Sequence, residues 1–327
     1  MNKLILLIAL SISGVTITQA QTDTTTQKAD TVVKPWKLKA LYGSNGTQSS
    51  FLNWNAGGRN SISLMGYVSA SANYLQHQWK WDNNLSLALG GLQYIGKGNG
   101  GEGLQKTDDR IEISSTFGYS FDKSIEKKQL YFSLITGFRT QFLDGFVYPN
   151  TLDRVSSFMA PGYFNLALGL DYSPNKNLTL FISPAAMKWT VVNDQVLADA
   201  GSFGVDPAAI VDGVLIPGSL YRSEFGAYFK MKYNKEIVKN IEMKSTLELF
   251  SNYLENPENI DINGDVLFTF KVNKWFSASL NWTVIYDHDI NIQSIDGGFG
   301  PRTQFKSVLG LGVSYTMKNF VDPPKKK

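Results

Sequence analysis

The residues DINGD at 261–265 form the pattern in this sequence that most suggests a set of metal ligands. Carboxylate and amide oxygens at alternate positions begin a calcium-binding loop, which ends with a glutamate at its twelfth position. Position 272 is Val272, so that ligand is missing. In an extended chain Asp261, Asn263 and Asp265 share one face instead. We therefore predict no metal at this segment.

A glycine-rich segment, GKGNGG at 96–101, fits the G-x-G-x-x-G pattern of nucleotide-binding proteins. That pattern holds a phosphate at the N-terminus of a helix. The residues that follow here alternate between apolar and polar types, as in a strand, so no helix is available to hold the phosphate. We interpret the segment as a loop.

The two histidines, His77 and His288, are the only residues of their type. One lies in a short predicted connection and the other beside a long one, so we expect them at opposite ends of the fold. A shared metal site or a Ser–His pair is therefore not predicted. The sequence has no cysteine, which excludes disulfides and thiolate metal sites. We predict neither an enzyme nor a cofactor.

Strands must carry the remaining polar side chains. The segment WFSASLNWTVIYD at 275–287 places Phe276, Leu280 and Trp282 on one face and mostly Ser, Thr and Asn on the other. Strict alternation predicts a half-buried strand. Similar segments lie near 36–43, 61–75, 79–93, 111–121, 128–142, 164–172, 177–187, 223–233, 239–251, 262–272 and 305–315. No region has a sustained helical period.

Short and long connections alternate between these segments. The short ones lie at 76–78, 122–127, 174–177, 234–239 and 273–274, and the long ones at 44–60, 94–108, 143–160, 188–222, 252–261 and 288–301. Strands that run up and down then place every long loop at one end, which is the layout of an outer-membrane barrel. We predict an all-β fold, an up-and-down antiparallel transmembrane β-barrel of about twelve strands.

The apolar strand faces are predicted to contact lipid, and the small polar faces to line the interior. Aromatic residues near strand ends fit two membrane-interface girdles. Trp79, Trp81, Tyr172, Tyr233, Trp275 and Tyr315 are expected at the short-turn end, and Phe142, Tyr94 and Tyr286 at the other. A soluble sandwich or a lipocalin-like barrel would expose more Lys and Glu than most of these strands carry.

The first residues, 1–20, have the basic start, apolar stretch and small last residue of a secretory signal peptide. We predict a disordered periplasmic leader at 21–35, the barrel at 36–318 and a basic periplasmic tail at 319–327. An even number of strands places both termini in the periplasm. Cleavage would lower the net charge from +3 to +2, which is too balanced to indicate a nucleic-acid partner.

Charged residues of both signs fall on the predicted interior faces. Opposite charges there can satisfy one another, whereas unpaired charges would be costly. Because 239–251 follows 223–233 in the chain, we predict that charges on these two strands pair. The candidate lumen cluster consists of Glu112, Arg139, Lys230, Lys232, Glu242, Lys244, Glu248 and Lys306.

The connection 188–222 is the longest and is rich in Val, Leu and Ile. Loops of this length are usually functional or disordered. It is consistent with an extracellular hairpin packed on neighbouring loops, or with a lid or plug over the barrel mouth. Asp194, Phe203 and Asp206 are the candidate plug residues. Asp206, followed by Pro207, also predicts one helical turn within 206–213.

Four long segments resemble a known family. They are SFMAPGYFNLALGLDYSPN (157–175), VVNDQVLADAGSFGVDP (191–207), LELFSNYLENPENIDIN (247–263) and GPRTQFKSVLGLGVSY (300–315). These segments are similar to the Bacteroidota outer-membrane family catalogued as domain of unknown function 3078. The resemblance implies an exported barrel-type protein and no established activity.

The sequence therefore predicts a non-enzymatic outer-membrane protein with a structural, surface-interaction or assembly role and a plugged lumen. The alternative is a narrow diffusion channel for small solutes, and a third interpretation is a soluble periplasmic binding barrel. The expected partners are outer-membrane lipid, the outer-membrane assembly machinery and other envelope proteins.

Overall fold

Twelve antiparallel strands close into one barrel in the computed structural model of the protein. The structure describes residues 35–50, 59–95, 103–122, 129–148, 150–293 and 298–320. Each strand pairs with the strands before and after it in the chain, and the first pairs with the last. The predicted all-β, up-and-down antiparallel barrel is therefore confirmed.

The barrel strands are numbered in chain order. They are β1 (Trp36–Ser49), β2 (Ser61–Gln76), β3 (Trp79–Tyr94), β4 (Gln105–Tyr119), β5 (Leu130–Thr140), β6 (Gly162–Asn175), β7 (Leu178–Val191), β8 (Tyr221–Val238), β9 (Ile241–Asn252), β10 (Ile260–Lys271), β11 (Phe276–Tyr286) and β12 (Gln304–Lys318). Paired residues from Lys39 with Lys318 to Gly46 with Leu311 close the barrel between β1 and β12.

The long connections at one end carry additional structure. Short strand pairs form there between Gly145–Phe146 and Arg154–Ser156, Ala209–Val211 and Val214–Ile216, and Asn291–Gln293 and Phe299–Pro301. The connection between β7 and β8, residues 192–220, also contains the helix α1 (Gln195–Asp199) and a 3₁₀ turn (Ser202–Gly204). We call residues 192–220 the outer loop. No helix among the described residues has the length and hydropathy to cross a bilayer.

Two local predictions were wrong. Residues 234–239 were expected to form a turn, but β8 continues to Val238 because its residues keep pairing with β9, as Asn234 does with Lys244. Residues 206–213 form no helical turn. Asp206 is exposed, and the following residues enter a hairpin. The helix that forms instead begins after Asp194, whose side chain accepts from the backbone N–H groups of Val196 and Leu197.

Side-chain contacts between strands that are not neighbours identify the inward face, because such contacts must cross the interior. Lys80 on β3 pairs with Asp171 on β6, and Asn45 on β1 donates to Ser279 on β11. Side chains alternate between the two faces along a strand, so every second residue counted from these contacts lines the lumen. The predicted polar face of β11, which includes Ser279, is therefore the inward one.

The outward face is apolar and has aromatic residues near its short-turn edge. Trp79 lies 4.7 Å from Tyr119 and 5.2 Å from Phe117 between ring centroids, and Trp36 lies 5.6 Å from Trp81. Leu309 near mid-strand is 67% exposed. An exposed apolar belt bordered by aromatic rings is the surface that a barrel presents to lipid.

We expect the long loops to face the cell exterior. Because the chain has no cysteine, single cysteines can report the exposure of each end. A membrane-impermeant maleimide added to intact cells should label Asp153→Cys, in a long loop, and should not label Lys176→Cys, in the short turn between β6 and β7. Both positions are exposed, so access alone decides the result. Labelling of residue 176 without residue 153 would invert the topology.

Candidate functional site

Lys188 is the centre of a charged cluster at the long-loop end of the lumen. Its Nζ lies 2.8 Å from Asp261, 3.3 Å from Glu224 and 3.4 Å from Asp287. These carboxylates stand on β10, on β8 and just after β11, so the contacts of one lysine on β7 span five strands. The lysine side chain is 18% exposed and that of Glu224 is 2% exposed. The cluster therefore joins separate parts of the wall.

Arg222 extends this cluster toward the outer loop. It pairs with Glu224 at 3.1 Å and with Asp289 in the connection after β11. It also donates to the carbonyl oxygen of Gly204 in the outer loop, at 3.3 Å. We call Lys188, Arg222, Glu224, Asp261, Asp287 and Asp289 the mouth cluster. With two cations against four carboxylates, this part of the mouth is net acidic.

Two further contacts join non-neighbouring strands on the other side of the barrel. Lys306 on β12 pairs with Asp108 on β4 at 3.5 Å. Asn45 on β1 donates to Ser279 on β11 at 3.4 Å. The Asn45 side chain occupies the space above Gly312, where an added Cβ would meet its Oδ1 at 2.1 Å. The small residues of β12 thus make room for the contact between Asn45 and Ser279, which passes over this strand.

Ion pairs also lie deeper in the lumen. Lys230 and Glu248, on neighbouring strands, approach to 2.5 Å, which confirms their predicted pairing. Near the short-turn end Lys80 pairs with Asp171 at 2.7 Å and lies 4.8 Å from the centre of the Tyr131 ring. Charged contacts therefore occur at three levels of the lumen: the mouth, the middle and the short-turn end.

The other predicted lumen residues are arranged less simply. Glu242 pairs with Lys271 at 2.8 Å and approaches Lys244 at 3.7 Å, rather than reaching β8. Glu112 and Arg139 are register partners, and the guanidinium of Arg139 lies 5.0 Å from the Tyr163 ring centre. Lys232 is an exposed residue that faces the lumen, and within the described part of the chain no carboxylate lies within 4 Å of its ammonium.

An apolar group fills the lumen beside β5 to β9. It consists of the inward-facing residues Ile135, Ala167, Phe181, Ala186, Tyr228 and Phe250. Phe181 is 2% exposed, and its ring centroid lies 6.1 Å from that of Tyr228. The opposite wall differs, since Ser69 and Asn84 face inward and are exposed. One half of the lumen is packed, and the other is lined by small polar side chains.

The outer loop packs into a small unit of its own. Val192, Leu197, Ala198 and Val205 are buried with Ala160 of the preceding long loop, and Phe203 packs against them. Asp194 caps α1 and pairs with Arg154 of that preceding loop. The candidate plug residues thus separate: Asp194 and Phe203 join the packed unit, and Asp206 is exposed.

Asp199 fastens the two ends of the outer loop together. Its carboxylate accepts from Gln195 Nε2 at 2.6 Å and from the backbone N–H of Gly218 at 2.7 Å. These two hydrogen bonds lower the pKa of the Asp199 carboxyl below its usual value, the bond from Gln195 having the larger effect. The carboxylate is therefore ionised where it holds the base of the hairpin.

The sequence motifs occupy unremarkable places. Asp261 and Asp265 do share an inward face, but Asp261 binds Lys188, and Asp265 accepts from Thr283 at 2.8 Å. Across the described ranges, no group of three or more His, Cys, Asp or Glu residues could hold a metal. His77 lies in a short turn and His288 near the mouth, where its Nδ1 lies 3.2 Å from the Tyr286 hydroxyl. The segment 96–101 lies outside the described residues.

Comparison with protein families supports the resemblance read from the sequence. Residues 47–146 match a family described as "Protein of unknown function (DUF3078)". Residues 202–295 match a second family, "Protein of unknown function, DUF481". The closed barrel and its apolar outward belt identify the structural class of the protein. The chain is a transmembrane β-barrel. No match was found among curated proteins.

Three solved structures that resemble this chain are distant from it in sequence. The translocator domain of autotransporter NalP from Neisseria meningitidis is 8% identical, with 88% of this chain and 90% of that chain covered and a TM-score of 0.35. An outer membrane channel from Pseudomonas putida F1 is 11% identical, with 86% and 94% covered and a TM-score of 0.35. The KdgM porin is 10% identical, with 84% of this chain and 98% of that chain covered and a TM-score of 0.29.

Sequence reasoning missed several of the most connected residues of this barrel. Lys80, Asp171, Lys188 and Glu224 were not selected, although they form contacts across the lumen or at its mouth. The available signal was a single charge at an inward position of a strand whose other inward residues are small. Asp171, which follows Ala167 and Gly169 on the inward face of β6, is such a residue.

Proposed function

We propose that this protein is a non-enzymatic outer-membrane barrel with a constricted lumen, and that its role is structural or lies in interactions at the cell surface. The observation that carries the proposal is the set of ion pairs between non-neighbouring strands. Lys188 reaches from β7 to β10 and beyond β11, Lys306 from β12 to β4, and Lys80 from β3 to β6. Side chains that meet across a barrel occupy the space that a wide pore would need.

The width of the barrel alone does not decide whether it conducts. Barrels of about eight strands are filled by side chains, and those of 16–18 strands leave a water channel, so the contents of a twelve-stranded barrel are decisive. Here Phe181, Tyr228 and Phe250 point inward and are buried. The outer loop adds a contact at the mouth through Gly204 and Arg222.

The proposal extends to the route and partners of the chain. Residues 1–20 act as a signal peptide, both termini lie in the periplasm, and the barrel is inserted by the outer-membrane assembly machinery. Its belt contacts outer-membrane lipid, and its long loops meet other envelope proteins. Support comes from the alternation of short turns and long loops, since outer-membrane barrels have short periplasmic turns and long outer loops.

The second candidate function is a narrow diffusion channel for small polar solutes. The observation in its favour is the exposed polar wall of β2 and β3, where Ser69 and Asn84 face the lumen. Lys232, an exposed residue that faces the lumen near β8, also supports this candidate. A path along this side would pass small solutes only.

Planar-bilayer recording separates the two functions. We expect the intact protein to conduct poorly, because the cross-lumen pairs and the packed half narrow the path. The double variant Asp108→Ala with Lys306→Ala should conduct more, since it removes both members of a mouth pair and leaves no unpaired charge. Replacing residues 194–218 by a short Gly-Ser linker should also raise the conductance. Lys176→Ala, in a short turn, is the matched control and should behave like the intact protein.

A stable and large conductance from the intact protein would overturn the constricted-lumen proposal and support the channel. Equally low conductance in all variants would place the constriction deeper, at the Lys230–Glu248 level or at Phe181. Circular dichroism and heat-modifiable electrophoretic mobility of each variant would establish that the barrel is folded before its conductance is compared.

A further inference from the structure

The hairpin at the tip of the outer loop exposes more apolar surface than its surroundings require. It pairs Ala209–Val211 with Val214–Ile216, and none of its strand residues is buried. Ile210 is 75% exposed, Leu215 67% and Val214 65%. Soluble surfaces rarely expose contiguous apolar patches without a binding role. Something other than water is expected to cover this hairpin.

The sequence favours a regular hairpin at these residues, so the exposed apolar side chains belong to a defined element and not to an irregular loop. Asp212 and Gly213 have φ angles of 51° and 79°, and a two-residue turn with both angles positive suits the twist of paired strands. Register partners Ile210 and Leu215 share one face, and Val211 and Val214 share the other. Both faces are apolar, and Asp212 is the hairpin's one charged residue.

The chain that follows the hairpin joins the barrel at its outward face. Leu220 accepts a hydrogen bond from the backbone N–H of Val192, which extends the β7–β8 pairing above the last strand residues. Tyr221, the first residue of β8, is 68% exposed on the outward side. Phe225, also outward, lies 5.9 Å from Tyr253 between ring centroids. Aromatic residues at this height are typical of a membrane interface.

The chain between hairpin and rim is short. Ile216 precedes Tyr221 by five residues, which span at most about 17 Å when fully extended. The hydrogen bond from Gly218 N–H to Asp199 at 2.7 Å shortens this tether further. The headgroup layers add roughly 5–7 Å on each side of the hydrocarbon core. The hairpin is therefore within reach of the outer leaflet beside Tyr221.

We propose that the hairpin 209–216 rests in the headgroup layer of the outer leaflet and contacts lipid as part of the membrane-facing surface. The apolar side chains favour leaving water, because burial of apolar surface is favourable. The unpaired strand edges and Asp212 keep the hairpin out of the hydrocarbon core, where unsatisfied backbone groups are costly. The interface satisfies both requirements. This inference needs the barrel to be in the membrane, but it does not depend on a constricted lumen.

Lipid explains the surface better than a protein partner does. A partner strand would cover one edge, and a partner surface one face, whereas both faces of this hairpin are exposed and apolar. Lipid can surround an irregular projection from several sides. The chain also connects the hairpin within five residues to Tyr221, which is exposed on the outward side of β8 beside the lipid-facing belt.

A single-cysteine fluorescence experiment tests the proposal on the full-length chain, which has no other cysteine. Leu215→Cys is labelled with the polarity-sensitive probe NBD and folded into phosphatidylcholine vesicles that contain nitroxide-labelled phosphatidylcholine. Leu311→Cys on the lipid-facing belt and Asp153→Cys in another long loop are the controls. We expect quenching at residue 215 to be strong with headgroup nitroxides and weaker with deep acyl-chain nitroxides, opposite to residue 311.

The outcomes are distinct. Quenching at residue 215 no greater than at residue 153 would overturn the lipid contact. A blue-shifted emission that is insensitive to nitroxide lipid but rises with protein density would overturn it in favour of a second copy. Adding Ile210→Asp to the Leu215→Cys chain should abolish the lipid quenching. Because Ile210 is exposed, the barrel should still fold, and heat-modifiable mobility checks this directly.

Discussion

Replacing Leu280 by Arg should destabilise the folded barrel by about 2–4 kcal/mol, the cost of a charged side chain near the bilayer midplane. Leu280 lies near the middle of β11. Its register partners Phe268 and Leu309 belong to the outward face, and Leu309 is 67% exposed. An arginine there has no polar neighbour in the lipid-facing belt.

Ser279→Arg is the matched control on the next residue. Ser279 faces the lumen, where it accepts a hydrogen bond from Asn45 at 3.4 Å. A long cation there can reach water along the polar wall, so we expect a loss no larger than that of one hydrogen bond, about 0.5–1.5 kcal/mol. Urea unfolding of both variants in lipid vesicles measures the difference. Equal losses, or a larger loss for Ser279→Arg, would contradict the assignment of faces.

The strands were predictable because each carries its own signal. Alternation along β11 separates Leu280 from Ser279 with no knowledge of any other part of the chain. The loop lengths then gave the up-and-down order. Strand ends were less predictable, and β8 illustrates why. Its last residues are polar, as in a turn, yet they pair with β9 beyond the lipid-facing belt.

Contacts across the lumen could not be predicted in the same way. Alternation shows that Lys188 and Asp261 both point inward, but it does not show that they meet. That depends on the stagger of every strand between them, including the register shift on β8 between Gly226 and Tyr228. Neighbouring pairs such as Lys230 with Glu248 need only one turn to be placed correctly, and that prediction was confirmed.

The outer loop shows a different limit. Its apolar content predicted a packed structure, which Leu197 and Val205 do form. The same apolar content also suggested a lid or plug. Composition alone cannot distinguish a plug from an exposed hairpin, because both are rich in apolar residues. The turn Asp212-Gly213 was the stronger local signal, because such pairs favour the tight turns of hairpins. The prediction of a helical turn after Asp206 did not take this turn signal into account.

Replacing Lys188 by Met should cost about 3–5 kcal/mol of folding stability, the effect of removing one partner from a buried ion pair. Glu224, Asp261 and Asp287 all lie within 3.4 Å of the Lys188 ammonium, so its loss leaves three carboxylates close together. Methionine keeps most of the side-chain volume, and the effect should therefore report charge and not a cavity.

Two comparisons separate this role from a general effect of losing a lysine. Lys244→Met removes a lysine that is 44% exposed and 3.7 Å from Glu242, so it should cost no more than about 1 kcal/mol. Adding Glu224→Gln and Asp261→Asn to Lys188→Met should recover part of the loss, because fewer carboxylates are then left unpaired.

Urea unfolding in vesicles at low and high salt measures all of these variants. If Lys188→Met costs no more than Lys244→Met, or if the added neutral residues bring no recovery, the lysine does not hold the mouth together. If the predicted losses appear and persist at high salt, the mouth cluster is a shielded structural contact, as its burial indicates.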